Sequence, residues 1–349
     1  MTYDVVIATK NRPEALKLSI PLILNQSRPP EKLIIIDCSD DHRFICNIIR
    51  DIVNNSDVKL VIEHSKPNLP QQRNIGLKHV ESSIVIFPDD DSLWWSGVAE
   101  AILRIYQRDK KSEIGGVCAT WATEPPPQAN ISDRRKYRMT RTDRIKQKIG
   151  GWRHRFEDFV CPNPMYVHGR TQWSHLAIPQ WLSDVNAVQI EYMNGLCMTF
   201  RTEVIRKHGF DADLGSYVGW APCEDVAASF AVTQELPVVR ACDAMVCHYT
   251  FPSLRSTGFR VGFVTQLNRA YVLCRYAAPS SPARKALRRF AYYKMIQYSL
   301  GCHSKYGRER LYGHIKAISA TKVFLNLPVD ALRDSYLETS QQFLSDGHA

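Results

Sequence analysis

Ser83-Ile84-Val85-Ile86-Phe87-Pro88-Asp89-Asp90-Asp91 is the stretch whose reading decides the architecture. Its β-branched and aromatic half reads as a short buried strand, and three adjacent carboxylates end it. Neighbouring carboxylates repel one another, so they need a cation or full solvation. Two readings follow. The acids could offer hard oxygen ligands to Mg2+ or Mn2+, which would in turn hold phosphates. They could equally form a solvated turn in which Asp91 or Ser92 caps the next helix.

Upstream, the same grammar recurs. Strand-like runs at Tyr3–Thr9, Leu33–Asp37 and Val58–Glu63 alternate with helical patterns at Glu14–Gln26, Phe44–Val53 and Gln71–Val80. Downstream, a helix that Ser96 can cap precedes a strand at Gly116–Trp121. Repeated β-α-β units predict an α/β fold, a mostly parallel sheet with helices on both faces. Such sheets bind ligands outside the carboxyl ends of their strands, which singles out Thr9–Arg12, Asp37–Asp40 and Asp89–Asp91 as one crevice.

Past Ala122 the periodicity lapses. Pro125-Pro126-Pro127 opens a basic, Trp-bearing stretch that reads as an insertion or lid. Order resumes at Glu191–Arg201, then a helix near Thr202–His208, a Gly-rich and aromatic loop at Asp213–Cys223, and a helix at Glu224–Gln234. Short strands are expected at Val238–Arg240 and Met245–His248, with a basic helical region beyond Ser256. The expected organisation is therefore 1–121, a β-α-β half that holds the crevice; 122–188, the insertion; 189–255, a second half where order resumes; and 256–349, the helical basic region.

Two further features carry chemistry. Glu224 and Asp225 open an amphipathic helix, where acids favour the positive end of the helix dipole. One of them could instead serve as a general base for an acceptor hydroxyl. His248 ends an apolar strand, as a structural residue or as a ligand for a borderline metal.

In order and spacing these motifs resemble those of inverting glycosyltransferases of family 2, which have a GT-A fold. The stretches that carry the resemblance are Val5–Pro13, Ile36–Asp40, Asn68–Gly76, Phe87–Asp91, Asn194–Arg201, Gly209–Asp211 and Glu224-Asp225. It implies that Ala8, Thr9 and Arg12 line a nucleotide pocket, with Asp37 near the base or ribose and Arg73 and Asn74 beside the cleft. Asp89, Asp90 and Asp91 would form the Asp-x-Asp motif. Asp91 would hold Mn2+ or Mg2+, Asp89 would face the ribose side, and His248 would take the place of a further ligand. Asp225 would be the catalytic base, with Glu224 positioning the acceptor. The donor would be a UDP, GDP or dTDP sugar, and the acceptor a glycan on a lipid diphosphate in polysaccharide biosynthesis. Cys38 departs from the family pattern, where a second acid often follows Asp37.

Composition bounds the alternatives. The chain has 349 residues, 44% apolar and 23% charged, with a net charge of +10. That charge is uneven: +9 falls between Arg134 and Arg155 and +13 between Arg255 and Lys322, so the remainder is acidic. A basic rim suits a phosphate-bearing partner or an anionic membrane surface. The ten cysteines are scattered singly, as expected for a reduced cytoplasmic protein without a paired-cysteine zinc site. No leader-like N-terminus or membrane-spanning run is read, so attachment at the inner face of the cell membrane would be peripheral. No nucleic-acid partner is expected, since no reader motif accompanies the charge. A nucleotide-sugar hydrolase or pyrophosphorylase could use the same acids.

Overall fold

The computed structural model describes residues 1–131, 161, 176–216, 219–249 and 257–345. The basic stretch 134–155, with Trp152, and Trp173 lie outside the described residues. Among the described residues, 1–131, 176–212 and 228–249 form one compact unit; 213–216, 219–227 and 257–345 belong to a second.

The first unit is built on nine strands: β1 (Tyr3–Thr9), β2 (Lys32–Asp37), β3 (Lys59–His64), β4 (Ile84–Pro88), β5 (Ser92–Trp94), β6 (Gly116–Ala122), β7 (Ala187–Ile190), β8 (Cys197–Arg201) and β9 (Val238–His248). They lie in the order β3-β2-β1-β4-β8-β6-β9-β5, with β7 also on β9. β1 to β4 pair in parallel, as does β6 with β9, whereas β8, β5 and β7 run antiparallel to their neighbours.

Alternation along the strands sends side chains to two cores. Val5 and Ile7 face one core, with residues of α1 (Pro13–Leu24), α2 (His42–Val53) and α4 (Val98–Arg108). Val6, Ile34 and Ile36 face the other, with Leu77 of α3 (Leu69–Lys78), Ile205 of α5 (Thr202–His208), and Ala228 and Val232 of α6 (Glu224–Val232). A Cβ on Gly76 would come within 2.3 Å of Val6, so α3 lies on β1 too closely for any side chain there.

Three local expectations change. Ser92–Trp94 after the acids is an edge strand pairing with β9, not a helix cap. The next helix starts after Gly97, at φ 84, instead of after Ser96. The two short strands expected after 238 are one, β9, with a register shift in its pairing to β6. A bulge is a change of spacing within one strand, and in the sequence it looks like an end.

The second unit contains α7 (Gly258–Tyr276), α8 (Pro282–Ser299), α9 (Lys305–Ala320) and α10 (Val329–Ser345). Gly262 approaches α9 so closely that a Cβ would meet the Arg310 carbonyl at 2.1 Å, and Gly313 meets Phe259 in the same way. Arg284, in the basic helical region, is buried. Its guanidinium donates to the carbonyls of Cys274, Ala277, Phe324, Leu325 and Leu327, tying the ends of α7 and α8 to the turn before α10. Local spacing marks a cation's face; only the chain's return brings five carbonyls to it.

Candidate donor-binding and metal site

β4 delivers the three acids to the carboxyl edge of the sheet, and each meets a different partner. Asp90 is buried; it accepts from Thr9 Oγ1 at 2.8 Å and from Arg12 Nη1 at 2.5 Å. Asp91 is also buried, 3.1 Å from Arg12 Nη2 through one oxygen and 3.2 Å from His248 Nε2 through the other. That second oxygen has no aligned hydrogen bond. Asp89 accepts from Arg73 Nη2 at 3.1 Å and keeps 35% of its side chain exposed. Backbone bonds fix the turn: Asp89 N–H donates to Leu196, Ser92 N–H to Asp89, and Tyr249 N–H to Asp91.

The electrostatics follow from this crowding. Burial, opposed by Arg73 and reinforced by the other two acids, raises Asp89 to about 7. Burial, opposed by Arg12 and reinforced by Asp91, raises Asp90 to about 6. Exposed Asp89 recovers some of its solvation from water. The carboxylate beside it raises His248 above the usual imidazole range. Three carboxylates face two guanidiniums and the His248 imidazole here.

One donor atom from each of Asp89, Asp91 and His248 lies within 4.8 Å of the others. Two carboxylates and an imidazole suit a borderline divalent ion such as Mn2+ better than Mg2+, which favours oxygen alone. The Asp91 oxygen beside His248 is the test of fit: a buried acceptor without an aligned hydrogen bond costs free energy that a cation would recover. The residues present fit a metal.

Ala8 is half-buried at the end of β1, paired with Ile36. Arg73 is buried, its guanidinium 5.5 Å above the Phe210 ring. Asn74 reads the backbone of Phe210 from both sides, accepting from its N–H and donating to its carbonyl, each at 2.8 Å. It thereby fixes the ring beneath Arg73. Asp37 is fully buried: Ser39 N–H and Oγ donate to one oxygen, and His42 Nδ1 lies 2.7 Å from the other.

Gln72 and Asn11 were given no role from the sequence, whereas Trp121 and Trp181 were noted at the insertion. Gln72 is buried and donates to the Ile36 and Thr9 carbonyls, joining α3 to the ends of β1 and β2. Asn11, at φ 53, donates its N–H to Ser39 Oγ and exchanges two hydrogen bonds with Asp40. The left-handed backbone that Asn tolerates is the signal that could have found it. Trp121, 59% exposed, presents an edge-to-face contact to His248 at 5.8 Å. Trp181 instead bonds Glu113.

Glu224 and Asp225 sit in the second unit, in the first turn of α6. Glu224 is buried and Asp225 half-buried, with the Val226 N–H donating to Asp225 at 2.8 Å. Cys223 before them adopts φ 71, a strained backbone of the kind that clusters at functional sites.

Residues 4–162 match the model of glycosyl transferase family 2, just under half of the chain. No curated protein matches the chain as a relative. Among solved structures, a mannosyltransferase from Pyrobaculum calidifontis in complex with GDP-Man and Mn2+ is similar, at 13% identity and a TM-score of 0.50. The match covers 99% of this chain and 87% of that one. S. aureus TarS 1–349 in complex with UDP-GlcNAc is similar at 12% identity and a TM-score of 0.52, over 99% of this chain and 92% of that one. At such identities the likeness establishes the fold, and the family match adds the chemistry: the chain carries a glycosyl transferase family 2 domain on a GT-A fold and is a glycosyltransferase.

Proposed function

We propose that the protein transfers a sugar from a nucleoside-diphosphate donor to a glycan acceptor, with inversion and with the help of Mn2+ or Mg2+. The observation that carries this reading is the convergence of Asp89, Asp91 and His248, with a buried Asp91 oxygen that has no aligned hydrogen bond. Asp91 and His248 would hold the metal, with Asp89 facing the ribose side. When bound, the metal neutralises charge on the departing diphosphate. Thr9 and Arg12 hold Asp90 and Asp91 in place; Arg73, steadied by Phe210 and Asn74, adds positive charge at the rim. The donor would be a UDP, GDP or dTDP sugar. The relatives' complexes with GDP-Man and UDP-GlcNAc support that class. Asp225 would take the acceptor proton as general base, and Glu224 would position the acceptor.

The acceptor in this reading is a lipid-diphosphate-linked glycan at the cytoplasmic face of the membrane. Among the described residues no helix is long and apolar enough to cross a membrane. Support for a surface contact comes from α8, where Tyr292, Ile296 and Leu300 recur every fourth residue and are exposed, Leu300 at 80%. Exposed Lys285, Arg288 and Arg289 precede them. An apolar stripe beside cations is the composition of a helix that lies on anionic lipid.

Calorimetry with UDP, GDP and dTDP, each with and without Mn2+, tests the donor site. One nucleotide should bind in a metal-dependent way; if none binds under any metal condition, the reading fails. Product analysis separates transfer from hydrolysis, which would release free sugar or sugar phosphate. Salt-sensitive flotation with anionic vesicles tests the membrane contact.

A further inference from the structure

We propose that Asp37, His42 and His64 form a second metal site, for Zn2+ or a similar borderline divalent ion, at the carboxyl ends of β2 and β3. Asp37 and His64 are the last residues of adjacent parallel strands and directly opposed in register. Strand pairing therefore fixes their separation, whatever the loops do. His42 is the first residue of α2, a helix whose start is held by Asp41 accepting from the Phe44 N–H. Three elements of the scaffold thus each deliver one donor.

The donors converge. One ligand atom from each of the three residues lies within 4.8 Å of the others. The two imidazoles are adjacent, with ring centroids 4.6 Å apart and planes tilted by 50°. Donors sharing a tetrahedral Zn2+ at its usual bond lengths stand about 3.3–3.5 Å apart. His64 is exposed, so its ring can close the remaining gap without disturbing the core.

The chemistry of the set differs from that of the Asp-x-Asp site. Two nitrogens and one oxygen match the three-ligand protein set typical of zinc centres that keep a water. The carboxylate is already aimed, because Ser39 holds one oxygen through its N–H and hydroxyl while the other faces His42. Oriented ligands of this kind raise metal affinity. Cys46, one turn further along α2, places its sulfur 3.3 Å from His42 Nε2, a soft donor at the rim.

The inference does not depend on the glycosyltransferase reading. The experiment uses full-length protein carrying Asp91→Asn, so that the first site no longer competes, and titrates Zn2+ calorimetrically without nucleotide. One equivalent should still bind, and adding His64→Ala or His42→Ala should weaken it at least tenfold. His64 is exposed, so its variant keeps its fold, which circular dichroism checks; if His42→Ala unfolds, His64→Ala alone decides. Zn2+ titrations unchanged by His64→Ala, or no Zn2+ bound by the Asp91→Asn protein, would overturn the proposal. Mn2+-dependent nucleotide binding by the single His64→Ala variant should persist, which separates failure here from failure at the donor site.

Discussion

Two buried charged centres in this molecule are built on opposite terms. Arg284 is surrounded by five neutral carbonyls that together use its guanidinium donors. Asp89, Asp90 and Asp91 are crowded against one another, with two arginines and His248 for three acids and one oxygen left without an aligned hydrogen bond. The first centre is complete in itself and holds helices together. The second keeps a buried Asp91 oxygen, beside His248, without an aligned hydrogen bond, and that oxygen is what a metal would take as a ligand. Satisfaction of buried charge separates structural from functional polarity here better than burial does.

Arg284→Met should produce the largest effect, a loss of about 3–5 kcal/mol in denaturant-monitored stability, because it orphans buried carbonyls. If the loss stays below about 1 kcal/mol, the comparison breaks on its structural side. Asp91→Ala should weaken Mn2+-dependent nucleotide binding at least about a hundredfold, the upper end for disturbing a metal's surroundings, with little loss of stability. An equally large loss of stability would mean that the acids are structural after all.

His314 extends the comparison to a third buried group. Burial first, then Arg269, Arg310 and Lys294, lower it to about 4, while the Ala291 carbonyl 2.9 Å from its Nε2 acts the other way. Folded His314 is therefore neutral where the unfolded imidazole takes up a proton. Its contribution is fully present above about pH 6.5 and is lost as pH falls toward 4. Unfolding midpoints should show about 2 kcal/mol lost between pH 6.5 and 5, and His314→Gln should flatten that slope. The smallest effect is expected at Trp121. Replacement by Ala should raise the KM for a sugar substrate about three- to tenfold, the scale of one lost aromatic contact, without altering the melting temperature.

How much of this was legible beforehand depends on range. The parallel β-α-β succession and the strand ending in Asp89 are local patterns, and the structure contains both. Arg12 and Arg73 were named as cleft residues, yet their pairing with particular acids came only from the fold. Edge strand β5 is three residues long, too short for a period to register. The burial of Arg284, the clamp of Asn74 on Phe210 and the meeting of His42 with His64 each join segments that no local spacing connects. Sequence patterns report which face a residue takes; they do not report what arrives opposite it.

The Asn11 bonds to Ser39 and Asp40 have a consequence for recognition. They couple the β1–α1 and β2–α2 loops into one lip, so neither can yield to an incoming ligand alone. A lip fastened in advance has little freedom left to lose on association, which favours tight binding. It also makes the lip unforgiving: ligands are sorted by whether they match a shape already set, and a poor match cannot be rescued by local adjustment.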